Sequence, residues 1–194
     1  MPNPTVIDEA WLDRFRVSSW IGEPLVRHSL IGKDAPLVLS SLCDQGDYYR
    51  FAWVAVRAMP WEIRLHVSIG IAKWTLPPFE KIYPDDPRPR QAIDEALLVQ
   101  REPSVAHMIS ASLAIEPARI AAFAAANDMR WDDRIRLSLV AEVAAGAART
   151  ASSSEEGRSI NATFETLMDA AGAAFSDHRK TQNQIMEYLL PQVI

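Results

Sequence analysis

Residues 61–71, "WEIRLHVSIGI", decide whether this chain is a helical or a mixed protein. Apolar residues alternate with others along the stretch, which is the pattern of a β-strand. The alternating positions are Trp61, Ile63, Leu65, Val67, Ile69 and Ile71. Helical spacing is satisfied as well, because Trp61, Leu65 and Ile69 lie four residues apart. No other stretch offers a clear partner strand, and a lone strand leaves its backbone groups unpaired. We therefore predict a helix over residues 61–79, buried on most sides.

The N-terminal part is predicted to start with a helix and then to become irregular. Residues 5–16 space their apolar side chains as an amphipathic helix does, with Thr5 as the N-cap and Asp8 in the capping-box position. Residues 17–37 contain two glycines and two prolines and are predicted as a loop. The next helix is predicted to end just before Pro60, because a proline disfavours helical geometry in the residue that precedes it.

The second half of the chain is a series of predicted Ala-rich helices. Pro103 ends the first of them, Ser104 is a plausible N-cap for the second, and Pro117 is predicted to start another helix. Residues 131–153 predict a long helix whose small side chains permit a close approach of neighbouring helices. Two further helices follow a polar insert.

These elements together predict an all-α fold. The chain is expected to form one domain over residues 1–194, either an antiparallel helical bundle or a stacked helical array, with an irregular N-terminal segment. Residues 1–60 are a candidate N-terminal subdomain, and residues 87–194 form the Ala-rich helical region.

Composition and charge narrow the class of protein. The 194 residues can bury a core without disulfides or metals, and 48% of them are hydrophobic. The net charge is −5 and no basic block suggests contacts with a nucleic-acid backbone. The lone Cys43 fits a reducing compartment, the N-terminus lacks the regions of a signal peptide, and charges interrupt the longest apolar tract. We expect a cytoplasmic protein that binds neither nucleic acid nor membrane.

Residues 83–93, "YPDDPRPRQAI", contain the densest cluster of prolines and charges in the chain. Asp86 is a predicted N-cap and Pro87 suits the first position of a helix, where its missing N–H group costs nothing. Asp85 and Asp86 also match the positive end of the helix dipole. With Glu80 and Tyr83 just before it, this stretch predicts a junction between two helices.

Two arginines in that junction are unexpected, because Arg88 and Arg90 place cations at the positive end of a helix. One explanation is that Glu80, Asp85 or Asp94 pairs with them and so joins two core helices. The other is that they face an anionic ligand or a protein partner, for which the guanidinium fork is suited. Internal pairing is the prediction we favour.

The sequence contains no recognisable catalytic or metal-binding constellation. The four histidines lie far apart, without HxxxH or HExxH spacing. Cys43 and His28 would be a nucleophile and a base, yet a lone cysteine is more often a small buried hydrophobe. The acidic pair Asp132 and Asp133 resembles the first turn of a helix. We predict no catalytic residue, no cofactor and no metal, and therefore no enzyme.

The chain has six tryptophans, a residue type that is favoured both in cores and at interface hot spots. Trp20 and Trp131 stand among loop and polar neighbours, so they are the better interface candidates. Asp132 and Asp133 follow Trp131 and complete the candidate partner-binding residues.

The stretch from residue 65 to residue 95 resembles the Imm5-type family of immunity proteins from bacterial polymorphic toxin systems. That family shows an apolar helix, an "LPLFE"-like end and a "YPDDxRPRxAI" turn before its Ala-rich helices. The matching residues here are Leu76, Pro77, Phe79, Glu80, Tyr83, Pro84, Asp85, Asp86, Arg88, Pro89, Arg90, Ala92 and Ile93. The resemblance implies an all-helical cytoplasmic protein that binds and neutralises a cognate toxin.

Four functions are compatible with these observations. The first is an immunity-like inhibitor that binds a toxin or another effector without catalysis. The second is a phage or mobile-element protein that inhibits a host defence complex, as anti-CRISPR proteins do. The third is a small helical enzyme or anion-binding protein that uses Arg88 and Arg90. The fourth is a homo-oligomeric scaffold whose Ala-rich helices form the contact.

Overall fold

The computed structural model describes residues 6–8, 30–128, 131–153, 155–173 and 177–193, without the side chains of 131–133, 156 and 178. Those residues form nine helices, and the all-α prediction is confirmed. The helices are α1 Ala35–Gln45, α2 Tyr48–Ala58, α3 Trp61–Thr75, α4 Pro77–Ile82, α5 Arg88–Arg101, α6 Val105–Asp128, α7 Trp131–Ser152, α8 Glu156–Ala173 and α9 His178–Val193.

The stretch that decides the fold is helical, as predicted, and forms α3. The predicted end at residue 79 is wrong, because α3 ends at Thr75 and Pro77 and Pro78 begin the separate helix α4. Leu65, Val67, Ile69 and Ile71 are all buried although they point to different sides of the helix. They can be buried together because α3 packs against α5, α7 and α8, which cover most of its surface. The strand-like alternation is thus the sequence pattern of a helix surrounded by neighbours.

Helix α7 is the centre of the array and packs against α3, α5, α6 and α8. Seven of its alanines and valines are fully buried, and no large side chain separates it from α8 at Gly146. The buried small residues are Ala141, Val143, Ala144, Ala145, Ala147, Ala148 and Ala151. Helices α1, α2 and α9 lie beyond α8, and α6 lies on the opposite side of α7 against α5.

A polar seam crosses the core where α3, α7 and α8 meet. The hydroxyl groups of Ser68, Thr150 and Thr163 lie 3.3 to 3.4 Å from one another. Arg64 is buried beside them and donates its Nε–H group to Ser159 Oγ at 3.2 Å. Because buried polar groups are costly unless they are hydrogen-bonded, this seam favours one arrangement of the three helices over others.

The predicted helix over residues 5–16 is wrong for residues 6–8; Thr5 and the rest lie outside the described residues. Val6 forms an isolated antiparallel β-bridge with Asp34, and the Ile7 N–H group donates to Lys33 O at 2.9 Å. Ile7 is buried in the core, so this tertiary pairing overrides the helical spacing. The predicted loop also ends earlier, since Asp34 Oδ1 caps α1 by accepting from the Leu37 N–H group at 3.2 Å.

The predicted helix boundary at Pro117 is wrong, because α6 runs without interruption through it. Pro117 removes only the hydrogen bond to the carbonyl of Leu113. Leu113 lies on the exposed side of α6, where water can bind that carbonyl. The other predicted boundaries here are confirmed: α2 ends before Pro60, and Ser104 Oγ accepts from the His107 N–H group at 3.2 Å.

Candidate protein-binding surface

Arg90, one of the two arginines at the helix junction, pairs with Glu80 as predicted. Its Nε–H and Nη2–H groups donate to Glu80 Oε1 and Oε2, each at 2.8 Å. Glu80 lies in α4 and Arg90 in the first turn of α5, so the pair connects two helices across the proline-rich turn. This parallel arrangement is the strongest geometry available to an ion pair.

Arg88 pairs with a carboxylate that the sequence analysis had assigned only to helix capping. Its Nε–H and Nη2–H groups donate to Asp86 Oδ1 and Oδ2 at 2.8 and 2.6 Å. The helix begins at Arg88, one residue later than predicted, with Pro87 rather than Asp86 in the N-cap position. Asp86 Oδ1 nevertheless accepts from the Arg88 backbone N–H group at 3.2 Å. Asp85 is exposed and pairs with neither arginine among the described residues.

Arg88 and Arg90, the two cations on which the anion-binding hypothesis depends, are both paired with carboxylates of the chain. Residues 82–88 line a shallow depression of about 490 Å³, but Arg88 is held by Asp86 at its edge. The Tyr83 ring packs against Phe79 with 5.0 Å between centroids. Its hydroxyl is buried without a hydrogen-bond partner in the described structure, and burial raises the pKa of Tyr83. The arginines of this motif therefore bind carboxylates of the same chain, and the motif is a junction between two helices.

The structure places the predicted partner-binding residues only in part. Trp20 lies outside the described residues, and Trp131, Asp132 and Asp133 form the first described turn of α7 without described side chains. Among the other tryptophans, Trp53 is buried and Trp61 donates its indole N–H group to Thr150 O at 3.2 Å. Trp74 is 49% exposed.

The residues considered for nucleophilic or metal chemistry are Cys43 and the histidines. Cys43 is a free thiol whose pKa is raised by burial and by the neighbouring Asp44 and Glu187 carboxylates, so the thiol is not activated. His28 lies outside the described residues. Within the described ranges, no group of three or more His, Cys, Asp or Glu side chains is arranged to hold a metal ion.

The most unusual surface is the outer face of α6, which the sequence analysis missed. Five large apolar side chains are exposed there: Val105 (74%), Ile109 (55%), Leu113 (72%), Ile120 (50%) and Phe123 (72%). Their spacing places all five on one side of the helix. The fully buried residues of α6 are all alanines, namely Ala111, Ala118, Ala121, Ala122 and Ala125, and the partly buried Met108 and Ile115 pack against the core beside them. We refer to the exposed side as the α6 face.

The distribution of side chains on α6 is the reverse of that expected for a surface helix. Large apolar residues normally point into the core and small or polar ones outward. Here fully buried alanines face the Ala-rich α7, where they permit close packing, and five of the larger apolar residues face solvent. A row of exposed apolar side chains of this length indicates an interaction site.

Two charged residues interrupt the α6 face. Glu116 and Arg119 lie one turn apart and form an ion pair with 3.4 Å between Glu116 Oε2 and Arg119 Nη1. Arg119 Nε also approaches Glu142 Oε1 on α7 at 3.7 Å. Arg119 thus lies at that edge of the face which is next to α7. Because Glu116 and Arg119 have opposite charges, the α6 face carries no net charge.

Helix α6 is also the described helix that is long and apolar enough to cross a membrane. Its 18-residue window has a mean hydropathy of 1.3, and 28% of that window is buried. Length and composition alone are weak grounds for a membrane span, because helices of soluble proteins pass the same criterion. The packing of its alanines against α5 and α7 places α6 in the helical array.

No family model, no curated protein and no solved structure matches the chain.

Proposed function

We propose that this chain is a cytoplasmic, non-catalytic inhibitor that binds another protein through the α6 face. The observation that carries the proposal is the row of five exposed apolar side chains over a buried layer of alanines. The cores of protein interfaces are apolar, which matches the five exposed side chains, and Glu116 and Arg119, which interrupt the row, neutralise each other in an ion pair. The resemblance of residues 65–95 to Imm5-type immunity proteins supports a toxin as the partner.

The charge of α6 favours a protein partner over nucleic acid or an anionic membrane. The helix carries one arginine, Arg119, against two carboxylates, Glu116 and Asp128. Nucleic acids and anionic lipid surfaces attract clusters of Lys and Arg, and interfacial helices carry these residues beside their apolar side. A protein partner that offers an apolar groove or an apolar helix needs no cluster of Lys and Arg on α6.

The proposal is tested by co-expressing the chain with toxin domains of the kind that Imm5-type proteins neutralise, taken from genes that neighbour its own or those of its relatives, and measuring growth of the host. The test variant is Leu113→Glu combined with Phe123→Glu, which places two charges within the α6 face. The matched control is Leu37→Glu, because Leu37 lies on α1 and is 71% exposed, nearly as much as Leu113 at 72%. Circular dichroism and thermal unfolding verify that both variants fold.

We expect the wild-type and Leu37→Glu chains to restore growth and the α6-face variant to lose that protection. Full protection by a folded α6-face variant would refute the proposed surface. Recovery of subunits of a host nuclease complex with the wild-type chain, in place of a toxin domain, would refute the toxin as partner and favour a phage or mobile-element inhibitor.

A further inference from the structure

We propose that a cavity where five helices meet binds a free α-amino acid with a small aliphatic side chain. The cavity lies between the end of α3, the start of α4, the N-terminal half of α7, the end of α8 and the start of α9, and its volume is about 200 Å³. Clefts for drug-sized ligands are larger, roughly 300–1,000 Å³, so this one suits a molecule the size of an amino acid. None of its described lining residues belongs to α6, so the inference does not rest on the proposed function.

Two side chains of opposite charge line the cavity without pairing. They are Arg136 on α7 and Asp177, the residue just before α9. Neither forms an ion pair or a side-chain hydrogen bond with any residue that the structure describes. A guanidinium group binds carboxylates, and a carboxylate binds ammonium groups. A free α-amino acid carries a carboxylate and an ammonium group on one carbon atom, whereas a residue inside a peptide chain carries neither.

Thr181 lines the same cavity and contributes a buried hydroxyl group. It lies in the first turn of α9 and is only 6% exposed. The other buried threonines of the described structure donate their hydroxyl groups to a carbonyl one turn earlier; they are Thr150, Thr163 and Thr166. The Thr181 hydroxyl makes no hydrogen bond to a described residue. Because buried polar groups are rarely left without a partner, this hydroxyl points to a ligand in the cavity.

Apolar residues form the other walls and select the side chain of the ligand. Val140 on α7 and Ala170 and Ala173 on α8 line the cavity and are buried. Trp74 at the end of α3 also lines it and is 49% exposed, so its ring is accessible to a ligand. These walls offer contact area to an aliphatic group but no partner for a second charged one.

The experiment is an NMR titration of the isotopically labelled full chain with L-alanine, L-valine and L-leucine. The readout is the indole N–H signal of Trp74, which a Trp74→Phe chain identifies. We expect saturable binding with a dissociation constant on the order of 0.1–1 mM, as suits so small a ligand. Isoamylamine and isocaproate are leucine without its carboxylate and without its ammonium group. Each should bind at least about tenfold more weakly than leucine.

Two charge-removing variants test the assigned roles. Arg136→Gln removes the partner of the ligand carboxylate and Asp177→Asn that of the ammonium group, so each should weaken binding about tenfold. The matched controls are Lys180→Gln and Asp94→Asn, which remove the same charges at exposed positions that do not line the cavity. Both controls should bind as the wild type does.

Thr181→Val separates a binding role of the hydroxyl from a structural one. Valine keeps the shape of threonine and removes a hydroxyl that the described structure leaves unpaired. We therefore expect weaker binding by a chain that unfolds at the wild-type temperature or above it.

Three results would overturn the proposal. The first is a Trp74 signal that does not move at amino-acid concentrations tenfold above the expected dissociation constant. The second is binding of isoamylamine or isocaproate as tight as that of leucine, and the third is unchanged binding by Arg136→Gln and Asp177→Asn. Any of these leaves the proposed inhibition in place, because α6 does not line the cavity. Conversely, the Leu113→Glu, Phe123→Glu chain should bind the amino acid as the wild type does.

Discussion

Arg90 holds Glu80 through two parallel hydrogen bonds of 2.8 Å, across a turn that contains two prolines. Glu80 belongs to α4, a helix of six residues with Phe79 as its buried side chain. So short a helix has little stability of its own and depends on tertiary contacts. The ion pair therefore positions α4 against the start of α5 and gives the motif a structural role.

The first prediction concerns that ion pair. Arg90→Lys keeps the charge but loses the planar fork, so we expect the free energy of unfolding to fall by about 0.5–1 kcal/mol. Both side chains are partly exposed, so the loss should shrink at high salt. Urea unfolding at two salt concentrations measures it, and Lys81→Ala, a change at an exposed α4 residue, is the control. A variant of unchanged stability that no longer inhibits would show that the arginine contacts the partner.

The pairing of Arg90 could be predicted from the sequence because both residues lie within one short stretch and a cation at a helix start needs a nearby anion. The partner of Arg88 was missed because Asp86 had been assigned to capping alone. A carboxylate has two oxygens and several lone pairs, so Asp86 binds both the backbone N–H group and the guanidinium of Arg88.

The α6 face could not be predicted from composition because apolar residues occur on every side of α6. Which side is buried depends on the neighbour, and the neighbour is the Ala-rich α7. Close packing against α7 admits Ala118 and Ala122 and leaves no space for Ile120 or Phe123. Dividing α6 at Pro117 also split the row of exposed residues in two, which concealed its length.

The second prediction concerns the buried hydroxyl of Tyr83. Because that hydroxyl has no hydrogen-bond partner among the described residues, Tyr83→Phe removes a desolvated polar group and keeps the ring packed on Phe79. We expect stability to stay the same or to rise by up to about 1 kcal/mol. Tyr83→Leu, which loses the aromatic contact, should be destabilising. Thermal unfolding compares the three chains, and a clear loss in Tyr83→Phe would reveal a hydrogen bond that the structure does not show.

The third prediction concerns Asp169, a largely buried carboxyl group on α8. Burial raises the pKa of Asp169 to about 6 from an ordinary value near 3.8, and the Glu142 and Glu165 carboxylates raise it as well. The positive charge of Arg149 acts in the opposite direction. Between these two values the folded chain binds more protons than the unfolded chain, so this group makes stability fall as pH rises from about 4 to about 6.

Asp169→Asn removes that titration, and we expect it to stabilise the protein at pH 7 by on the order of 1–2 kcal/mol and to have no effect near pH 3. Urea unfolding of both chains from pH 3 to pH 7 gives the difference. The control is Asp94→Asn, which removes one negative charge from an exposed position on α5. A stability difference that does not vary with pH would contradict the raised pKa of Asp169.

The last prediction tests how closely α7 and α8 pack at Gly146. A Cβ atom at this position would collide with Thr166 Oγ1, which donates a hydrogen bond of 2.8 Å to Ala162 O on α8. We expect Gly146→Ala to cost about 1–3 kcal/mol, because the two helices must separate or Thr166 must leave its position. Gly157→Ala is the control, since a Cβ there meets nothing within 4 Å and should be neutral or stabilising.

Combining Gly146→Ala with Thr166→Ala removes the obstructing hydroxyl, so the double variant should be more stable than the sum of the two single losses predicts, by about 1 kcal/mol or more. Urea unfolding of the four chains completes the double-mutant cycle. Additive losses, or a Gly146→Ala chain as stable as Gly157→Ala, would mean that α7 and α8 pack less closely in solution. The close approach bears on the proposed function because α7 packs against the alanines on the buried side of α6.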